Sequence, residues 1–368
     1  MNKNKIIILS FIISFIIIQK CWKINKLFCS NIIPEKKRVG VINLPDSRNI
    51  GNMMVKFAMY TKLTELGLNA TIICPKHKID KLKVDSSFLF KTVNSHLLYV
   101  NDNFSELKEN DFDYLMVNSD QTWNFYNYAF FYNVALLKFA ENWNVNKFIY
   151  AASMAKYDWY YNKSDEELFK NLLIKFTGIS FREKGTVELL KDNLGLNSVF
   201  VLDPTLLIDK NCYLEQIYYY KPNFKYNKKF IFVYQLDNKK IISKTIKEAS
   251  EKFHWKINFL KLKKINYVEN FLYGISNCEA VITDSFHGTV FSIIFKKPFI
   301  SFINKVRGKA RFDSLKEVFN FDDRIIDPSK SSNINISLLL ESPQINEKKF
   351  KKLKNFSLKF LQRNLDLI

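Results

Sequence analysis

From residue 37 onward the chain alternates short apolar runs with helix-length segments, and most of the runs stop on a polar cluster. That alternation is the pattern of a layered α/β fold, in which strands buried on both faces form a mostly parallel sheet. The first series places strands at 38–44, 70–74, 114–117, 148–152, 178–181 and 198–202. A turn at Asn49-Ile50-Gly51-Asn52 opens a helix over 57–66, and another helix follows Arg182-Glu183-Lys184 to about Lys191. A Tyr/Lys/Asn-rich connection at 213–228 separates a second series: strands at 229–235, 257–262, 279–283 and 298–303, with helices at 239–252, 268–276, 288–296 and near 314–319. The two series meet near residue 205. They predict two Rossmann-like domains, 37–212 and 213–335, facing each other across a cleft, with a C-terminal helix in 336–368 and an N-terminal extension in 1–36.

One segment is more informative than the rest. Ala280-Val281-Ile282 is a short apolar run, and Thr283-Asp284-Ser285 are residues that cap helices. His287 and Gly288 follow, and Val290, Phe291, Ile293 and Ile294 then supply an apolar helical face. Asp284, Ser285 and His287 are therefore expected at the carboxyl end of a strand beside a helix N-terminus, where open α/β sheets bind ligands and anions. Of the four histidines, His77, His96, His254 and His287, the last alone has such a setting. The plainer reading of His287 is a half-buried residue capping a turn.

Composition narrows the classes. With 368 residues, 47% of them apolar and 15% aromatic, the chain can bury large cores. The formal net charge of +20 suits an anionic partner. No zinc spacing, RNP-like strand or Gly-rich phosphate loop accompanies that charge, so no nucleic-acid partner is expected. The five cysteines, Cys21, Cys29, Cys74, Cys212 and Cys278, are scattered, the usage of a reducing compartment, and neither a metal site nor a cofactor is expected.

Both ends carry membrane-like patterns. Lys3 and Lys5 precede the uncharged run 6–18, and Lys20, Lys23 and Lys26 follow it. As a helix that run rises ~20 Å, short of the roughly 30 Å hydrocarbon core. An uncleaved anchor, a signal sequence and an extension outside the fold all remain open, and the anchor implies a cytoplasmic, membrane-associated protein. At the other end, 346–367 spaces Phe350, Leu353, Phe356, Phe360, Leu361 and Leu365 on a helical stripe among lysines. Such a helix either lies on a membrane surface or packs its stripe on the first domain.

The polar strand ends carry a further signal. In order they read Asn49-Ile50-Gly51-Asn52, Asn118-Ser119-Asp120-Gln121-Thr122-Trp123-Asn124, Tyr150-Ala151-Ala152-Ser153 and Ile179-Ser180-Phe181-Arg182-Glu183-Lys184-Gly185. Val201-Leu202-Asp203-Pro204-Thr205-Leu206-Leu207, Ile282-Thr283-Asp284-Ser285-Phe286-His287-Gly288 and Arg311-Phe312-Asp313-Ser314-Leu315 complete the series. Together, over roughly 37–330, they resemble the polysaccharide pyruvyl transferase family. The resemblance implies a GT-B-like fold and transfer of pyruvate from phosphoenolpyruvate to two sugar hydroxyls, forming a cyclic ketal with release of phosphate. The acceptor would be a cell-surface glycan or its lipid-linked oligosaccharide precursor.

That chemistry needs cations for a phosphate and a carboxylate, and an acid/base to protonate C3. The resemblance casts Arg182 as anion clamp, His287 as acid/base and Asp120 as the group that orients or deprotonates the acceptor. Asn49, Gly51, Asn52, Ser119, Asp284, Ser285 and Arg311 join them as substrate-binding candidates. The competing readings are an Arg182 paired with Glu183, an Asp120 capping a helix, an Arg311 paired with Asp313 and a Trp123 in the core. Asp203-Pro204 is read as structural. Many family members carry Arg two residues before the histidine, where this chain has Ser285; Arg307, Lys309 or Arg311 are candidate replacements. A nucleotide-sugar glycosyltransferase and a non-catalytic glycan-binding protein are the rival classes.

Overall fold

The computed structural model describes residues 36–45, 49–76, 93, 96–127, 129–218, 229–237, 240–261, 266–330 and 333–368. The apolar run 6–18 and most of the 213–228 connection lie outside the described residues. No described helix is long and apolar enough to cross a membrane.

Two parallel sheets form the frame. The first holds seven strands in the order β3-β2-β1-β4-β5-β6-β7: β1 Arg38–Ile42, β2 Asn69–Pro75, β3 Leu97–Val100, β4 Tyr114–Val117, β5 Asn146–Ala152, β6 Gly178–Phe181 and β7 Val199–Phe200. The second holds five in the order β12-β11-β10-β8-β9: β8 Phe230–Tyr234, β9 Lys256–Phe259, β10 Ala280–Thr283, β11 Phe299–Phe302 and β12 Ile325–Ile326. Every pair is parallel, as fully buried strands such as Tyr-Leu-Met-Val in β4 and Ala-Val-Ile-Thr in β10 require. Strand order reverses between β1 and β4 in the first sheet and between β8 and β10 in the second. These are the switch points at whose carboxyl ends ligands bind in such folds.

Eight helices of nine or more residues are described: α1 Ile50–Glu65, α2 Lys163–Leu173, α3 Lys184–Leu194, α4 Lys240–Phe253, α5 Tyr267–Asn277, α6 Phe286–Ile294, α7 Lys305–Phe319 and α8 Glu347–Asn364. Several begin where the sequence supplies a cap. The Asn49 side chain accepts from Gly51 N, so α1 starts seven residues before the expected position and absorbs the turn expected to open it. Ser285 Oγ accepts from Gly288 N at 3.2 Å and starts α6 at Phe286. Inside α7, Gly308 adopts φ 120°, and a Cβ there would lie 2.5 Å from the Cβ of Ala155. Glycine allows both that kink and that approach.

Arg38–Ile368 forms one compact unit. An aromatic chain joins its two sheets: Phe57 of α1 meets Tyr213 at 5.8 Å, Tyr213 meets Phe291 of α6 at 4.8 Å, and Phe291 meets Phe271 of α5 at 5.2 Å. Helix α8 follows the second half but packs on the first sheet. Its Ser357 Oγ accepts from Leu202 N at 3.0 Å, its Phe360 ring lies 6.2 Å from Tyr150, and Asp366 just beyond it accepts from Tyr114 OH at 3.1 Å. The stripe of α8 is thus turned inward, with Leu361 and Leu365 fully buried. The architecture is that of two Rossmann-like α/β domains facing a cleft, GT-B-like, with a C-terminal helix.

Candidate active site

The polar strand ends of the first sheet converge on one buried carboxylate. Asp203, three residues beyond β7, caps a short turn over Pro204–Leu206: its Oδ1 accepts from Thr205 N at 3.0 Å and from Thr205 Oγ1 at 2.6 Å. That leaves Oδ2 for the site. It accepts from Arg182 Nη1 at 2.5 Å and from Ser119 Oγ at 3.5 Å, and it stands 3.7 Å from His287 Nε2. Arg182 follows β6 directly, Ser119 lies just after β4, and His287 comes from the second sheet. The side chains of Arg182 and Asp203 are 1% and 2% exposed, so both charges are desolvated and need this mutual pairing.

Arg182 holds a second carboxylate. Its Nη2 donates to Asp120 Oδ1 at 3.2 Å, and Asn52 Nδ2 donates to Asp120 Oδ2 at 3.4 Å. Asp120 reaches this position from a left-handed backbone, φ 83°, a conformation that aspartate tolerates better than most residues. It caps no helix. Glu183 does not pair with Arg182 by hydrogen bond; its carboxylate accepts from Ser153 Oγ, from Met154 N at 3.1 Å and from Thr186 Oγ1 at 3.1 Å.

His287 sits in the first turn of α6, packed against the first turn of α1. A Cβ on Gly51 would lie 1.9 Å from His287 Nδ1, so the absence of a side chain at Gly51 is what admits the imidazole. Nε2 of His287 and Oδ1 of Asn52 are buried without a hydrogen bond among the described residues, and both belong to this cluster. Exchanging Gly51 for alanine should therefore push the ring off Asp203 and lower kcat/KM by about 10²-fold, the usual cost of an ångström-scale misplacement. Better helix propensity partly offsets the overpacking, so a thermal melt should change less than the rate. An unchanged kcat/KM would remove Gly51 from the site.

Phe286, next to the histidine, carries two guanidinium groups. Arg182 lies 4.8 Å and Arg311 5.3 Å from its ring centroid. Arg311 is buried and donates to the Arg307 carbonyl. The other candidate replacements for the missing arginine turn elsewhere: Arg307 makes a two-point contact with Asp237 at 2.8 and 3.0 Å, and Lys309 pairs with Asp313 at 2.7 Å. Asp313 also accepts from Tyr157 OH at 2.9 Å, and its ion-pair partner is Lys309.

These contacts set the charges. Burial alone would raise the Asp203 carboxyl, but Arg182, with help from His287, holds it far below the usual carboxylate range. Asp120 is likewise depressed: burial opposes it, and Arg182, His287 and Arg311 outweigh the burial. Glu183 goes the other way, pushed up by burial despite Arg182. Two firmly ionised carboxylates thus face two arginines and a histidine.

Not every expected residue joins this group. Asp284 turns to the loop after β8, accepting from Leu236 N at 2.6 Å, Asp237 N at 3.0 Å and Asn304 Nδ2 at 3.1 Å. Ser285 and Asn49 serve as helix caps, and Trp123 is a core residue packed on Phe181 with centroids 5.3 Å apart. Asp203 is the residue whose central place the sequence reading missed. The signal was present: Asp-Pro-Thr stands at a strand's carboxyl end, as the other polar clusters do. Among the described residues no group of three or more His, Cys, Asp or Glu side chains is placed to hold a metal ion.

A model of the polysaccharide pyruvyl transferase family matches residues 49–305, from the cap of α1 to the start of α7. The chain belongs to that family. The match includes every residue placed around Asp203 and ends before Arg311. No curated protein matches the chain in sequence. Among solved structures it is similar to a UDP-GlcNAc 2-epimerase from Neisseria meningitidis bound to UDP-GlcNAc, with a TM-score of 0.52, 12% identity, and 89% of this chain and 100% of that one covered. A UDP-GlcNAc 2-epimerase from Methanocaldococcus jannaschii gives a TM-score of 0.52 at 15% identity, covering 88% and 99%. Arabidopsis thaliana UGT89C1, complexed with UDP-L-rhamnose, gives 0.51 at 12%, covering 90% and 98%. At such identities these likenesses speak for the fold alone.

Proposed function

We propose that this polysaccharide pyruvyl transferase family member moves pyruvate from phosphoenolpyruvate onto two hydroxyls of a sugar, in a cell-surface glycan or its lipid-linked precursor, at the cytoplasmic side. The observation that carries this reading is the approach of His287, from one sheet, to the Asp203–Arg182 pair of the other. An acid/base and a cation thereby meet where the carboxyl ends of strands from both sheets converge.

In this reading His287 protonates C3 of the donor. The developing positive charge at C2 is met by a sugar hydroxyl, and a second hydroxyl then takes the place of phosphate at the same carbon. Arg182 and Arg311 receive the phosphate and carboxylate. Arg182 is already engaged by two carboxylates, so the donor must compete with one of them. Asp120 is the one that yields: its contact is longer, 3.2 against 2.5 Å, and its side chain is the more exposed. Released from Arg182, Asp120 is an ionised carboxylate within reach of Asn52, suited to orient the acceptor hydroxyl. With Ser285 a cap, Arg311 fills the place of the arginine other members carry before the histidine.

Two measurements test the proposal. Wild-type protein should release phosphate from phosphoenolpyruvate when offered a panel of glycans, and only with an acceptor present; release of a nucleotide from a nucleotide-sugar instead would overturn it. Arg182→Lys should weaken phosphoenolpyruvate binding by at least about tenfold, ~1.4 kcal/mol, because an ammonium cannot span two partners as a planar guanidinium does. A dissociation constant equal to wild type, by calorimetry, would take Arg182 out of the donor site.

A further inference from the structure

Helix α8 has a second face that neither the fold nor the site uses. Its 18 residues carry seven basic side chains and one acidic one, Glu347, which is spent on Lys296 at 2.6 Å. Lys349 donates to the Glu317 carbonyl and Lys354 is partly buried. Lys348, Lys351, Lys352, Lys359 and Arg363 are exposed, and among the described residues none of them pairs with an acidic side chain. They run along the outward side for roughly 22 Å at 1.5 Å per residue. Among them Phe356 is 46% exposed, a large aromatic left in water on a helix whose remaining apolar residues turn inward.

We propose that this face docks on an anionic lipid surface. Five exposed cations along one side of a helix, unpaired among the described residues, complement a plane of acidic headgroups, and a single aromatic is placed to enter the interface. The inward stripe is committed to the first sheet through Ser357, Phe360 and Leu361. Attachment is therefore shallow and mainly electrostatic, and it must weaken with salt. The open hollow that Lys348, Lys351, Lys352, Phe356 and Lys359 line holds a single exposed aromatic among the described residues, whereas single-stranded nucleic acid binds proteins by stacking successive bases on several. The uncharged run 6–18 is also flanked by lysines.

The test is co-sedimentation of the full chain with neutral phosphatidylcholine vesicles and with vesicles containing about 30% phosphatidylglycerol. Taking the ratio of the two partition coefficients cancels any contribution of the N-terminal run that ignores lipid charge. Wild type should favour the anionic vesicles by at least about tenfold at roughly 0.1 M salt, and the preference should collapse near 0.5 M. The double variant Lys352→Glu/Lys359→Glu, changed at two exposed positions, should lose the preference while keeping its melting temperature and its phosphate release. A variant ratio equal to wild type, a wild type without preference, or wild type drawn off the vesicles by an equal amount of single-stranded RNA would each overturn the proposal.

Discussion

Replacing His287 by alanine should lower turnover by about 10²–10⁴-fold, the range a positioned general acid/base contributes. The fold should survive, because the imidazole makes no hydrogen bond through Nε2 among the described residues and the helix it opens is capped by Ser285. The cavity left behind borders Gly51 and Phe286, so some loss of stability is expected without unfolding. Steady-state kinetics beside a thermal melt separates the two effects. A correctly folded H287A protein with wild-type turnover would exclude His287 from the mechanism.

The second large effect is expected at Asp203. Asp203→Asn keeps the side chain's shape but removes the charge that faces both Arg182 and His287. Breaking one partner of a buried pair costs about 3–5 kcal/mol, and the lower end applies because Arg182 retains Asp120. The sign of the pH dependence follows from the depressed pKa. Asp203 contributes its stability above the ordinary carboxylate value of ~3.9, and the contribution is lost as pH falls toward the folded value. The stability gap between wild type and D203N should therefore be widest near neutrality and close in acid, in denaturant titrations across pH. A purely structural Asp203 would change stability alone. As the residue that positions His287, it should also shift the pH dependence of kcat/KM.

Much of the frame was legible in the chain itself. Strands β4 and β10 were readable because each is a short apolar run ending abruptly on polar residues, and β6, Gly-Ile-Ser-Phe, because Arg182-Glu183-Lys184 follows it at once. Strands β3 and β12 were not: β3 is the partly exposed edge Leu-Leu-Tyr-Val, and β12 is two isoleucines. Helix α2, with its Asn162–Asp165 capping box, carries a clear start signal that the alternation of strands obscured. The start of α1 was misplaced because Asn49 was taken for a turn residue when it is a cap. At the site, His287, Arg182 and Asp120 were identifiable from strand-end position and family pattern. Their mutual neutralisation was not, since contacts such as Arg182–Asp120 join residues 62 apart in sequence. Asp203 was hidden behind its own proline, which gave it a sufficient structural explanation. The split among the cations after β11 was also decided by tertiary partners: Asp237 takes Arg307 and Asp313 takes Lys309, leaving Arg311 beside Phe286.

The central claim is that a proton delivered at His287 turns phosphoenolpyruvate into a ketal on a sugar. Running the reaction in deuterium oxide with an accepted glycan, and reading the ketal methyl group by mass spectrometry and NMR, tests it most directly. The account predicts one deuterium per methyl group, with phosphate released in equal amount and both signals lowered in H287A by the same factor of about 10²–10⁴ as turnover. A ketal formed without solvent deuterium, or formed equally well by H287A, would contradict it.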